Sequence, residues 1–324
     1  VASDPIHNHE WREVSEPWCF LAACLEYKAC AIDCTKTTSG LPIGIDATCS
    51  GLQHLSAMTR CGKTAALVNV SPTDKPADAY RTVADAAKAH LPEQFHEWMN
   101  RKVTKRSVMT TPYGVTQDSA RNYIRMALRE QKREFDSPQL TQITNAIFRK
   151  AIPEVLPGPI SVMAWLKRSA LEILDSGQES IQWTTPSGFV VSQDLRVSNT
   201  VRVDTRLMGG TRIKCLVGDG FLGPDRSHHR SALAPNVVHS FDASLLHLTF
   251  AFYEQPFTVI HDCVLGRSCD MEQMAADIRM HFAEMYKAPV MQDWADQVGV
   301  VMPDDLIKNT LDIESVNQST YFFC

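Results

Sequence analysis

The chain has 324 residues, of which 44% are hydrophobic, 21% charged and 8% aromatic. That is ordinary globular material, long enough for two or three subdomains with a sizeable core. A formal net charge of −5 gives no support to a nucleic-acid binder that works by overall charge, no run of roughly 18 apolar residues offers a membrane span, and the polar opening VASDPIHNHEWRE does not read as a signal peptide.

In chain order, EPWCFLAACLEYKACAI (16–32) has apolar residues at helical spacing and reads as a buried helix with Pro17 near its start. LPIGIDATCSGLQHLSAMTR (41–60) passes from a short strand ending at Asp46, through a turn, to a helix with Gly51 near its start. SPTDKPADAYRTVADAAKAHL (71–91) reads as an alanine-rich helix behind a serine or threonine cap. NRKVTKRSVMTTPYGVT (100–116) is basic, then apolar, then broken by Pro112 and Gly114, and SARNYIRMALREQKREF (119–135) is a second basic helix. GPISVMAWLKRSALEILDSG (158–177) is an amphipathic helix ending at Gly177. ESIQWTTPSGFVVSQDL (179–195) looks like a hairpin turning at 186–188. ALAPNVVHSFDASLLHLTFAFYE (232–254) reads as a turn into a long apolar helix, PFTVIHDCVLG (256–266) as a strand, and DMEQMAADIRMHFAEMY (270–286) as a helix. The whole is mixed α/β with more helix than strand.

The ten cysteines include no CxxC pair and read as reduced thiols in a cytosolic setting. Gaps of four, five and three separate Cys19, Cys24, Cys30 and Cys34 and fit no zinc-ligand pattern; thiols buried on a core helix are the better reading.

Asp46 and Asp262 sit on short strands far apart in sequence. Two carboxylates brought together repel unless divalent cations lie between them, and such a pair suits phosphoryl transfer by two metal ions. Between them lies a cationic helix. Arg101, Lys105 and Met109 are four apart and share one face, with Tyr113 eight residues beyond Lys105 on the same side. Lysine and arginine on one face can grip a triphosphate, and the tyrosine can stack beside a base or sugar. Singly each piece is weak: charged helix faces are more often merely solvated, a lone histidine such as His239 is more often a satisfied core residue, and a tyrosine such as Tyr80 more often plain packing.

Taken in order, DATCSGLQHLSAM, RKVTKRSVMTTPYG and IHDC resemble the single-subunit RNA polymerases of bacteriophages and mitochondria. CFLAACLEY, VNVSPTDKPADAY, MAWLKRSA, WTTPSGF, APNVVHSFDASLL and LDIESVNQSTYFFC are similar to the same family, so the resemblance runs from about residue 16 to the last, and KRSVMT leans towards the phage branch. The resemblance implies a right-hand polymerase fold, α/β and helix-rich. It divides the chain into palm (1–62), fingers carrying the lysine–tyrosine helix (63–239), and palm again with the HD hairpin and tail (240–324). It implies a DNA template, an RNA product and ribonucleoside triphosphates as partners, with no membrane. Asp46, Asp262 and the Ala47 carbonyl would hold two Mg²⁺ ions. Lys105 would meet the β- and γ-phosphates and give a proton to the leaving pyrophosphate. Arg101 would touch phosphate, with Arg106 assisting. Tyr113 would close over the incoming nucleotide and select ribose, with His239 reaching the 2′-hydroxyl. Tyr80 would stand near the templating site, His261 by the metals and primer end, and the terminal carboxylate after YFFC near the active site.

Two other readings stand beside this one. DNA polymerases of the bacterial repair type share the aspartates and the lysine–tyrosine helix, but carry a glutamate where this chain has Gly51, so open space at Gly51 favours ribonucleotides. A non-catalytic nucleic-acid-binding subunit would have lost an aspartate or the lysine, and all are present. The acidic balance is offset locally: NRKVTKR has four cations and no acid, and RNYIRMALREQKR five cations against Glu130. Val1 in place of methionine, and only 45 residues ahead of Asp46, suggest a C-terminal piece of a longer polymerase, or one subunit of a split one. The promoter-binding and thumb parts would then lie elsewhere in the chain or in a partner, in the cytoplasm, that of the host if phage-encoded.

Overall fold

A computed structural model describes residues 1–206, 209, 210 and 212–323. In chain order its elements are α1 (Pro17–Tyr27), β1 (Ile43–Ile45), α2 (Ser50–Met58), α3 (Gly62–Leu67), α4 (Ala79–Lys88), α5 (Arg101–Met109), α6 (Gln117–Glu130), α7 (Ser137–Thr144), α8 (Ile152–Val155) and α9 (Pro157–Asp175). They continue with β2 (Ile181–Thr184), β3 (Val190–Gln193), β4 (Arg196–Arg206), β5 (Arg212–Pro224), α10 (Arg226–Phe250), β6 (Phe257–Ile260), β7 (Cys263–Gly266), α11 (Met271–Lys287) and α12 (Val290–Val298). The helix-rich α/β class expected from sequence is what the chain shows. Among the described residues no helix is long and apolar enough to cross a membrane. The chain divides into two compact units, Val1–Asp46 with Glu254–Ala276, and Ala47–Tyr253 with Asp277–Cys324.

The first unit is built on an antiparallel sheet in the order β1-β7-β6. PFTVIHDCVLG is therefore not one strand, as its pattern suggests, but the hairpin that the resemblance implies, Phe257 facing Gly266 and Ile260 facing Cys263. Its apolar residues pair across the ladder on both sides of the turn and hold the register. The helix at 16–32 forms as α1 and continues as a π-helical turn at Lys28–Ile32, but it is not buried. No residue of α1 is buried, and Trp18 is 73% exposed. Cys19 and Cys34 are exposed and Cys24 and Cys30 half-buried, which corrects the reading of core thiols. Trp18 and Leu25, seven residues apart, share one side of the helix and Phe20 lies on the opposite one, and so small a unit has too little chain to cover both.

The second unit has a helical core. α10 packs on α9 and α2, α4 on α5, and α5 on α6. Leu52 and Leu55 of α2, Val237, Val238 and Phe241 of α10, and Leu166 and Ala170 of α9 are almost fully buried. Trp165, Trp183 and Trp294 meet edge to face, their centroids 5.4 and 6.4 Å apart around Trp294; Trp183 donates its indole N–H to Ser240 at 3.1 Å and Trp165 to the Val301 carbonyl at 3.2 Å, as buried indoles require. α7 opens on a capping box of Asp136 and Gln139.

Two readings need correction here. The alanine-rich helix begins at Ala79 rather than at 71, and its cap is Asp78, which accepts from the Arg81 N–H; Pro72 and Pro76 keep the preceding segment out of a helix. The stretch at 232–254 is not a turn into a helix, because α10 already begins at Arg226 and holds Pro235 inside it. β4 and β5, the longest strands described, lie in a stretch that carries no sequence expectation; they pair from Arg196 with Pro224 to Arg206 with Arg212, with register shifts near Ser198, and lie exposed along most of their length. The hairpin at 181–193 forms as read, Ile181 facing Gln193.

Candidate active site

Asp46 directly follows β1, and Asp262 is the second residue of the two-residue loop between β6 and β7. His261, the first, has a left-handed φ of 56°, which tight hairpin loops demand so that strand twist is matched. Ile45 faces Val264 across β1 and β7, so the next residue of each, Asp46 and Cys263, meet at the sheet end on one face. A Cβ placed on Gly44 would come within 3.3 Å of the Cys263 Sγ, which puts the thiol on that same face. Burial pushes the Cys263 thiol up, and the charges of Asp46 and then Asp262 push it further. Both carboxylates thus bracket one thiol, although 215 residues separate the positions between them in sequence.

Hard oxygen donors of this kind suit Mg²⁺, which takes few protein carboxylates and completes its octahedron with water and phosphate. Among the described residues no three His, Cys, Asp or Glu side chains gather into a metal cage. The donor set fits an open site for a hard divalent cation.

In the second unit, Ala47 forms an isolated antiparallel bridge with Phe323, whose hydrogen bond runs from the Thr48 N–H to the Phe322 carbonyl at 3.3 Å. Gln53 donates to the same carbonyl at 2.9 Å, so the tail is tied to α2. The terminal carboxylate belongs to Cys324, outside the described residues.

Asn100 caps α5 by accepting from the Lys102 N–H. Val103, Thr104, Ser107 and Val108 are buried, while Arg101, Lys102, Lys105, Arg106 and Met109 are exposed as one cationic face. The Arg101 Nε donates to Asp78 at 2.9 Å, and its guanidinium lies 5.1 Å from the centre of the Tyr80 ring. Tyr80 is buried, and that burial pushes its phenol far up, with Cys49 adding. Arg106 lies 5.9 Å over the Tyr123 ring. Among the described residues no carboxylate pairs with Lys105.

Tyr113 is not on the helix with Lys105. α5 stops at Met109, and the chain reverses through Gly114, whose φ is 74°. A side chain at Gly114 would also press on Pro235 of α10 at 3.2 Å. This turn lays the Tyr113 ring on His239 of α10, centroids 4.7 Å apart and planes inclined by 22°. The space beside Gly51 is not open, contrary to the sequence reading. A Cβ there would meet Pro112 at 2.7 Å and the Tyr113 hydroxyl at 3.1 Å. The missing side chain is what lets this turn settle on α2.

Four residues of this region were missed. Ser50 donates to Asp242 Oδ1 at 2.6 Å, and His54 Nε2 lies 3.2 Å from the same oxygen. His54 Nδ1 lies 2.7 Å from the Tyr286 hydroxyl. Burial alone would raise the Asp242 carboxyl, but His54, Ser50 and His239 bring it below its ordinary value. The signals were spacings: Ser50 and His54 four apart, and His239 and Asp242 three apart, each pair on one helix face.

A family described as DNA-dependent RNA polymerase matches residues 1–320, and the chain belongs to that family, in its single-subunit phage and mitochondrial type. It is 30% identical to the mitochondrial DNA-directed RNA polymerase of Homo sapiens over 99% of this chain and 29% of that protein. It is 30% identical to DNA-directed RNA polymerase 3, chloroplastic, of Nicotiana sylvestris over 99% of this chain and 35% of that protein. With the DNA-directed RNA polymerase of Enterobacteria phage K11 it shares 29% over 96% of this chain and 40% of that protein. The chain therefore spans about a third of the length of these relatives. Such even identities give the expected lean towards the phage branch no support.

Proposed function

We propose that the chain is the catalytic region of a DNA-directed RNA polymerase, adding ribonucleotides to an RNA 3′ end against a DNA template. The observation that carries this reading is the meeting of Asp46 and Asp262 at one end of the β1-β7-β6 sheet, on either side of Cys263. In this reading residues 1–62 and 240–324 belong to a palm and residues 63–239 to fingers.

Asp46 and Asp262, with the Ala47 carbonyl, would hold two Mg²⁺ ions, whose chemistry there would be to offset phosphate charge and acidify the 3′-hydroxyl. The other roles fall to the chain's own groups. Lys105, on an exposed face and without a carboxylate partner among the described residues, meets the β- and γ-phosphates and gives its proton to the departing pyrophosphate. Arg106 adds charge beside it; Arg101, held by Asp78 and Tyr80, contacts phosphate from a fixed position. Tyr113 closes on the sugar, and His239, stacked beneath it, faces the 2′-hydroxyl that tells RNA from DNA. Tyr80 lines the templating side, and His261 stands by the primer end.

The test is single-nucleotide extension of an RNA primer on a DNA template with Mg²⁺, comparing ribo- with deoxyribonucleoside triphosphates. Asp262→Asn should lower the rate by about three orders of magnitude or more while template affinity stays nearly unchanged, because phosphate contacts dominate binding. Retention of more than about a tenth of the rate would sink the metal assignment.

A further inference from the structure

Tyr113 has two neighbours that fix where its ring can lie. Its face rests on His239 of α10, and its hydroxyl end abuts Gly51 of α2. The ring position therefore depends on how α2 and α10 are held together. One half-buried carboxylate does this. Asp242 lies three residues beyond His239 on α10, and its Oδ1 receives both Ser50, next to Gly51, and His54, one turn further along α2. Ser50 is 4% and His54 1% exposed, so water does not substitute for either partner. The far side is closed as well. The Tyr286 hydroxyl, buried and holding its proton, lies 2.7 Å from His54 Nδ1; with Nε2–H directed at the Asp242 carboxylate, Nδ1 of the neutral ring accepts from that hydroxyl. Arg60 in turn binds the Tyr286 carbonyl. The chain of bonds runs from α11 through α2 to α10 and ends beside the residue on which Tyr113 stacks.

We propose that Asp242 is a positioning residue: by pinning Ser50 and His54 of α2 to the turn of α10 that carries His239, it fixes the Tyr113 ring between Gly51 and His239. Resting on the polymerase reading above, it thereby sets the preference for ribose without touching the nucleotide. A charge is needed because one oxygen accepts from two buried donors, a role that a carboxamide of the same shape fills less strongly.

The experiment has two readouts on the full chain. The first needs no turnover. With ¹³C-labelled histidine, the ring protons of His239, identified by their loss in His239→Asn, feel the stacked Tyr113 ring, and Tyr113→Leu gives their unstacked position. Asp242→Asn should move them most of the way to that position; unmoved resonances overturn the proposal. If Asp242→Asn does not fold, the pair Ser50→Ala with His54→Asn removes the same two bonds and is read in the same way. The second readout is the ratio of kcat/KM for ribo- over deoxyribonucleotide, which should fall about tenfold in Asp242→Asn, with no additional fall when Tyr113→Phe is combined with it. An unchanged ratio in an active variant also overturns the proposal. Moved resonances in a chain that adds no nucleotide leave the positioning intact and sink the polymerase reading instead. Unmoved resonances in a chain that prefers ribonucleotides do the reverse.

Discussion

At Gly51 two general rules give opposite signs. Near the start of a helix, alanine is better than glycine by about 0.5–1 kcal/mol, because glycine surrenders more backbone freedom. Here, however, a Cβ would lie 2.7 Å from Pro112 and 3.1 Å from the Tyr113 hydroxyl, and packed atoms of a turn and a helix cannot yield that far without strain. Overpacking costs of about 1–3 kcal/mol outweigh the helix gain, so Gly51→Ala should lower the urea midpoint of unfolding. A midpoint that rises would show that the turn moves aside freely. The sequence pointed to Gly51 for another reason, the absence of a glutamate, and from that drew an open space. Which neighbour takes up a missing side chain is a tertiary fact, and no local pattern in DATCSGLQHL discloses it. The same holds for Asp242: its partners come from α2, 188 and 192 residues away in the chain, and the aspartate itself sits unremarked in a helix.

Most elements with one buried face were legible; α1 was read from its spacing although none of its residues is buried, and β4 and β5 were hidden. α9 and α5 follow from their amphipathic spacing, and the 181–193 hairpin from its Pro-Ser-Gly turn. β4 and β5 follow from no burial pattern, since both faces are exposed along most of the ladder; what holds them is pairing, and the usable signal was valine alternation before Gly209-Gly210. Their root is anchored at His229. It is fully buried, accepts the Leu195 N–H at its Nε2 at 3.2 Å, and meets Gln193 at Nδ1 at 3.0 Å. Burial lowers its pKa, against smaller raising effects of the Leu195 bond and of Asp194 and Asp225. The sign follows. A histidine held neutral in the fold takes up a proton more readily once unfolded, so its stabilising contribution is complete above its ordinary value of 6.5 and is lost as pH falls from there towards the lowered folded value. Protonation would also remove the acceptor for the Leu195 N–H. Amide exchange at Leu195 should therefore quicken, relative to the intrinsic rate, as pH drops through this window, and the dependence should vanish in His229→Gln. Protection at Leu195 that is flat with pH would mean the root is held by something else.

Over the whole molecule the charge balance and the proposed substrate pull in opposite directions. A chain of net charge −5 repels a polyanion at long range, and yet the cations are not spread evenly. Arg101, Lys102, Lys105 and Arg106 line the exposed face of α5, and Arg121, Arg125 and Arg129 recur every four residues along α6, against which α5 packs. Acids gather elsewhere in sequence, at Asp304 to Glu314 for instance. Within a Debye length of about 8 Å at physiological salt, a bound strand responds to the local face and not to the sum. Binding of single-stranded DNA should then weaken steeply with salt, each phosphate contact contributing about 0.7 to the slope of log K against log salt. Replacing Lys102 and Arg129 by alanine, neither of which is assigned a part in the chemistry, should flatten that slope by about 1.4 if both touch the strand. Replacing two cations outside α5 and α6, Lys287 and Lys308, should leave it unchanged. Equal flattening in both pairs would mean that the chain answers to its net charge after all, and that the α5–α6 face is only a solvated surface.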